Sequence, residues 1–96
     1  MYIYVYFFTG RWQRATDRER ELMFAIAKGG ASEFGLRETS GQTEAYLNKR
    51  IAPAQVLRHF KKLIDDGLIY KTRRGNYAFA VPLLENFILR NYPQDT

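Results

Sequence analysis

The chain has 96 residues, 46% of them hydrophobic, with no cysteine and a formal net charge of +5. That length is one domain with a modest core, and the apolar fraction argues against disorder. The lack of cysteine excludes disulfide scaffolds, thiolate zinc sites and cysteine nucleophiles and fits a reducing cytoplasm; no window holds the ~18 continuous apolar residues of a membrane span.

Tyr2 to Phe8 is aromatic and β-branched. It reads as a strand, with a buried helix start as the alternative for so short an apolar run. It lacks the basic flank and small-residue cleavage site of a signal peptide. Thr9-Gly10 interrupts the pattern, so residues 1–10 are read as an apolar arm and 11–96 as the domain. Thr16-Asp17-Arg18-Glu19 spells a capping box. Leu22, Met23, Ile26 and Ala27 then share one helical face, Lys28 falls in the last turn, and Gly29-Gly30 stops the helix. From Ala31 to Asn48 the apolar points are Phe34, Leu36, Ala45, Tyr46 and Leu47, and Gly35 and Gly41 weaken a long helix. One short helix, whole or broken, is expected between Leu36 and Asn48.

Pro53 suits the first turn of a further helix, where its missing N–H costs nothing. Ala52 before it supplies no capping side chain. Val56, Leu57, Phe60, Leu63 and Ile64 form a core-facing stripe, and Gln55, Arg58, His59 and Lys62 fall on the opposite side. Gly67 is the left-handed residue that ends this helix. Leu68, Tyr70 and Thr72 alternate with Ile69, Lys71 and Arg73. On the return, Tyr77, Phe79 and Val81 alternate with Ala78 and Ala80, and Arg74-Gly75-Asn76 between the two runs is turn chemistry. Pro82 opens a last helix with Leu83, Leu84, Phe87 and Ile88 spaced for burial, and Pro93 ends it. The expected fold is mostly α with a small β-hairpin: three helices, a two-stranded wing and a C-terminal helix, the winged helix-turn-helix arrangement.

The charge is not spread evenly. Lys49 to Arg74 carries eight basic residues against two acids, a net +6, whereas the remainder of the chain nets −1. A patch of this kind favours polyanions, nucleic acid first. In a winged helix the third helix enters the major groove. Gln55, Arg58, His59 and Lys62 would then face a duplex, with Arg58 suited to guanine and Gln55 to adenine. Lys71, Arg73 and Arg74 would hold phosphate from the wing. The bland alternative is that these are solvated side chains, the wing arginines serving only to blunt a sheet edge. No catalytic residue, metal or cofactor is expected. His59 has no second His, Cys or close carboxylate beside it. Asp65-Asp66 reads as a solvated helix end, and no paired nucleophile and base occurs. Trp12 and the Tyr2, Tyr4, Tyr6 and Phe8 stripe are read as packing groups, although exposed aromatics could stack on bases.

The segments RWQRATDRERELMFAIAKGG, EFGLRE and IAPAQVLRHFKKLIDDGLIYKTRRGNYAFAVPLLENFILR carry a family likeness. Together they resemble the C-terminal winged-helix domain of AAA/STAND-type ATPases of bacteria and archaea, relatives of the Orc/Cdc6-like group. The helix start Arg11, Trp12, Thr16 and Arg18 to Glu21 is similar to the opening of those domains. The wing pattern is Gly67 to Tyr70, Arg74-Gly75, Tyr77, Phe79 and Val81 to Leu83; its closing run Tyr77, Phe79 and Val81 to Leu83, followed by an apolar helix, is the most specific part, and the likeness covers about Arg11 to Arg90. The resemblance implies a non-enzymatic, DNA-binding tail of an ATPase. No G-x-x-x-x-G-K-[ST] phosphate loop occurs here, so ATP chemistry would belong to residues outside this sequence. It implies a second possibility as well: a regulatory module that docks on an ATPase domain or forms a homodimer through Tyr2, Tyr4, Tyr6 and Phe8 without touching DNA.

Overall fold

A computed structural model describes residues 9–80 and 83–92. Residues 9–14 are helical (α1). They are followed by α2 (Asp17–Gly29), α3 (Leu36–Leu47), α4 (Pro53–Asp65), the strands β1 (Ile69–Lys71) and β2 (Tyr77–Phe79), and α5 (Leu84–Asn91). The architecture is the expected one, mostly helical with an antiparallel β1–β2 pair and a C-terminal helix. Thr9 and Gly10, which end the aromatic run in the sequence, belong to α1. The Tyr2–Phe8 stripe, Val81-Pro82 and Pro93 lie outside the described residues.

Local chemistry explains most of the boundaries. At the start of α2 the Glu19 N–H donates to Thr16 Oγ1 at 3.1 Å, and the Thr16 N–H donates to Glu19 Oε1 at 2.9 Å. Two of the N–H groups that a helix start leaves open are thereby satisfied. The end of α4 is a Schellman motif. Gly67 N–H donates to the Ile64 carbonyl at 2.9 Å and Leu68 N–H to the Leu63 carbonyl at 3.0 Å. Gly67 has φ +77, a left-handed conformation that a Cβ disfavours. Leu63 and Leu68, the two apolar residues that this motif brings together, are both fully buried.

The three central helices and the hairpin close over one core. Leu22, Met23 and Ile26 of α2, Val56, Phe60 and Leu63 of α4, and Ile69 and Tyr77 of the hairpin meet there with Leu84 and Ile88 of α5. Phe34 lies at its centre, edge-on to Phe60 at 5.8 Å and tilted against Phe79 at 5.4 Å. Trp12 is 4% exposed and packs edge-on against Phe87 at 6.1 Å, so it is a core residue.

Phe34 also has a backbone role. Its N–H and carbonyl each exchange a 2.8 Å hydrogen bond with Tyr77, forming an isolated bridge on the free edge of β2. The hairpin is thus bound on one edge to the segment that precedes α3. Two side chains expected in the core are not buried: Ile64 is 37% exposed and Leu83 38%. Ile64 lies at the margin of the apolar stripe, past Phe60 and Leu63, where no element covers it fully.

Candidate nucleic-acid interface

The orientation of α4 follows from its buried residues. Val56, Phe60 and Leu63 point into the core. With 3.6 residues per turn, the side directly opposite carries Ala54, Arg58, Lys61 and Asp65, all exposed. Arg58 and Lys61 are therefore the outermost cations of this helix. Gln55 and Lys62 are exposed on one flank of that face. Lys62 Nζ lies 4.0 Å from Asp66 Oδ2, a partner one turn on.

His59 lies further round and is only half-exposed. Burial lowers its pKa below the ordinary 6.5; the Glu19 carboxylate of α2 opposes the shift, and the guanidiniums of Arg58 and Arg18 add to it. At 100° per residue His59 lies nearer the core side of the helix than Arg58, and it does not share that residue's outward face. Lys61 is the residue that the spacing-based set omits. Its signal is the i, i+4, i+7, i+11 row of polar or small residues that mirrors the core stripe.

The wing is short. Ile69 pairs with Phe79, Tyr70 with Ala78 and Lys71 with Tyr77. Ile69, Tyr77 and Phe79 occupy the face that packs on Phe34 and Phe60. Beyond Lys71 the chain turns through Thr72 to Asn76. Gly75 N–H donates to the Thr72 carbonyl at 3.1 Å, and Thr72 N–H donates to the Asn76 carbonyl at 2.8 Å. Gly75, with φ +82, takes the left-handed place that lets a type I turn close a hairpin. This geometry leaves Arg73 and Arg74 at the central turn positions, both exposed.

Charge pairing divides the cations. Lys49 Nζ binds Glu21 Oε2 at 2.9 Å, Arg50 binds Glu44 at 3.1 Å, and Arg18 lies 3.5 Å from Glu21. Among the described residues Arg58, Lys61, Lys71, Arg73 and Arg74 have no carboxylate within ion-pair distance, and neither do the exposed Arg14, Lys28, Arg37 and Arg90 on other elements. No group of three or more His, Cys, Asp or Glu suited to a metal ion occurs among the described residues, and none of their helices is long and apolar enough to cross a membrane.

Three helices, a bridged hairpin and a closing helix define a small winged-helix-like domain with unneutralised cations on its third core helix and its wing. The chain belongs to the family described as "Domain of unknown function (DUF8462)", whose family model matches residues 5–88. No curated protein and no solved structure matches it.

Proposed function

We propose that this domain binds double-stranded DNA through the outer face of α4 and the wing. The observation that carries the reading is the pairing pattern. Lys49 and Arg50 are held by carboxylates, and Lys62 has Asp66 one turn on, while Arg58 and Lys61 of α4 and Lys71, Arg73 and Arg74 of the hairpin are left for an external anion. Arg58 and Lys61 would lie toward the groove, with Gln55 and Lys62 at its side. Lys71, Arg73 and Arg74 would meet phosphates, which position a protein on a duplex without reading its sequence. The likeness to ATPase tails makes attachment to an ATPase the matching proposal for the larger context.

The test is fluorescence anisotropy with a labelled random duplex at about 100 mM salt. Even non-specific binding is expected in the range of about 1–100 μM, weakening steeply as salt rises. A titration that stays flat to the top of that range sinks the reading.

A protein-interaction module is the second reading. It is favoured by Ile64 and Tyr70, which are 37% and 50% exposed on α4 and β1. A protein surface would need them to form one patch with the other open apolar groups, Tyr46, Leu83 and Leu89. This reading expects a flat duplex titration together with self-association or capture by a partner domain.

A further inference from the structure

We propose that Glu33, in the segment between α2 and α3, positions the wing for polyanion binding; this rests on the duplex-binding reading above. Two strands of three residues make a marginal hairpin in isolation. The base of this one is secured by the core contacts of Ile69, Tyr77 and Phe79 and by the Phe34 bridge. The turn beyond Lys71 has no such support, since Arg73, Arg74 and Gly75 are all exposed.

Glu33 supplies it. Its Oε1 accepts from Thr72 Oγ1 at 3.3 Å and from Asn76 Nδ2 at 3.5 Å. Those two residues bracket the turn, and they are joined to each other because Asn76 N–H donates to Thr72 Oγ1 at 3.2 Å. One carboxylate thus holds both shoulders of the loop that displays the arginine pair. Phe34, the next residue, holds the strand beneath by its backbone.

The sign of the charge makes the role distinct. A carboxylate beside a cationic wing repels a polyanion, so Glu33 cannot strengthen binding by attraction. What it contributes is geometry: a turn already ordered loses less freedom when a phosphate docks. Charge and geometry can be separated by two substitutions. Glu33→Gln removes the charge and keeps an accepting oxygen, whereas Glu33→Ala removes both.

The experiment measures anisotropy with the random duplex across a salt series, alongside amide exchange at Asn76. Glu33→Gln is expected to bind at least as tightly as the unsubstituted protein. Glu33→Ala is expected to bind about fivefold more weakly than Glu33→Gln, the scale of one or two lost hydrogen bonds. Its salt slope should be unchanged, because every cation remains. The Asn76 amide should exchange faster in Glu33→Ala alone. Equal affinity and equal Asn76 exchange in the two variants would overturn the proposal. If the unsubstituted protein binds no duplex, the DNA reading fails on its own, while Asn76 exchange still decides whether Glu33 holds the turn.

Discussion

Ser40 Oγ donates a 2.6 Å hydrogen bond to the carbonyl oxygen of Ile51, joining the buried side of α3 to the residue just ahead of α4. The Ile51 N–H is satisfied in the same place by Thr43 Oγ1 at 3.1 Å. Thr43 in turn donates to the Ser40 carbonyl at 2.7 Å. Ser40, Thr43 and Ile51 are all at most 1% exposed. Two hydroxyls thus replace the water that Ile51 loses on folding, and they set the turn between the second and third core helices.

Replacing Ser40 with Ala should therefore leave a buried carbonyl without its donor. The expected cost is about 1–3 kcal/mol. For a domain of this size that corresponds to a fall of roughly 4–24 °C in Tm, measurable by circular dichroism. A melt within one degree of the parent would show that the bond contributes nothing net. Thr43→Val should behave similarly, and the double variant should cost less than the sum, because the two hydroxyls share one partner residue.

That cluster also explains why α3 has the faintest pattern in the sequence. Its buried side chains are Thr39, Ser40 and Thr43, so hydrophobic periodicity is silent where the packing is closest. Its start lacks a side-chain acceptor, because the capping position is Gly35, and only Glu38 reaches back to the Gly35 N–H at 3.3 Å. Gly41 sits inside the helix without breaking it. Where the signal is local and chemical, the sequence spells it out: Thr16 with Glu19, Gly67 after the α4 stripe, and Arg74-Gly75-Asn76 at the hairpin.

What escaped were features that need a partner distant in sequence. The Phe34 bridge involves one residue and shows no alternation. The rotation of α4 that places His59 near Glu19 and exposes Lys61 depends on which apolar residues the other helices cover. The stripe as read included Leu57 and Ile64, and the buried set of Val56, Phe60 and Leu63 is narrower.

The start of α4 is the place where stability can be added. Ala52 holds the capping position in extended conformation, φ −62 and ψ 148, and makes no side-chain hydrogen bond to the helix. It is exposed, so a larger side chain meets no core. Ala52→Ser should supply the missing acceptor and stabilise the protein by about 0.5–1 kcal/mol, read as a higher urea midpoint at unchanged slope. A serine carries no charge, so duplex binding should be unaffected. A midpoint that falls would mean that the loop cannot present the hydroxyl to the helix.

His59 makes stability depend on pH. Burial lowers its pKa from 6.5, so the folded protein favours the neutral ring more than the unfolded chain does. Its contribution is therefore complete above about pH 6.5 and is lost as pH falls through the lower folded-state value. Urea midpoints should drop as pH falls below about 6.5, before most carboxylates protonate. His59→Gln should flatten that drop. Parallel pH profiles for the two proteins would assign the acid sensitivity to other groups.

The paired and unpaired cations give the sharpest comparison for the interface. Each phosphate neutralised on B-DNA contributes about 0.9 to the slope of log K against log salt. Arg73→Ala with Arg74→Ala should weaken duplex binding regardless of base sequence and lower that slope by about 2. Arg58→Ala and Lys61→Ala should each lower it by about 1 if their side chains meet phosphate. A smaller slope change with altered base preference would place Arg58 on a base edge instead. Lys49→Ala and Arg50→Ala are the internal controls, because Glu21 and Glu44 already occupy those cations at 2.9 and 3.1 Å. Removing either should leave the slope nearly unchanged. If the controls and the wing variants shift it equally, net charge alone governs association, and the outer face of α4 and the wing form no defined binding surface.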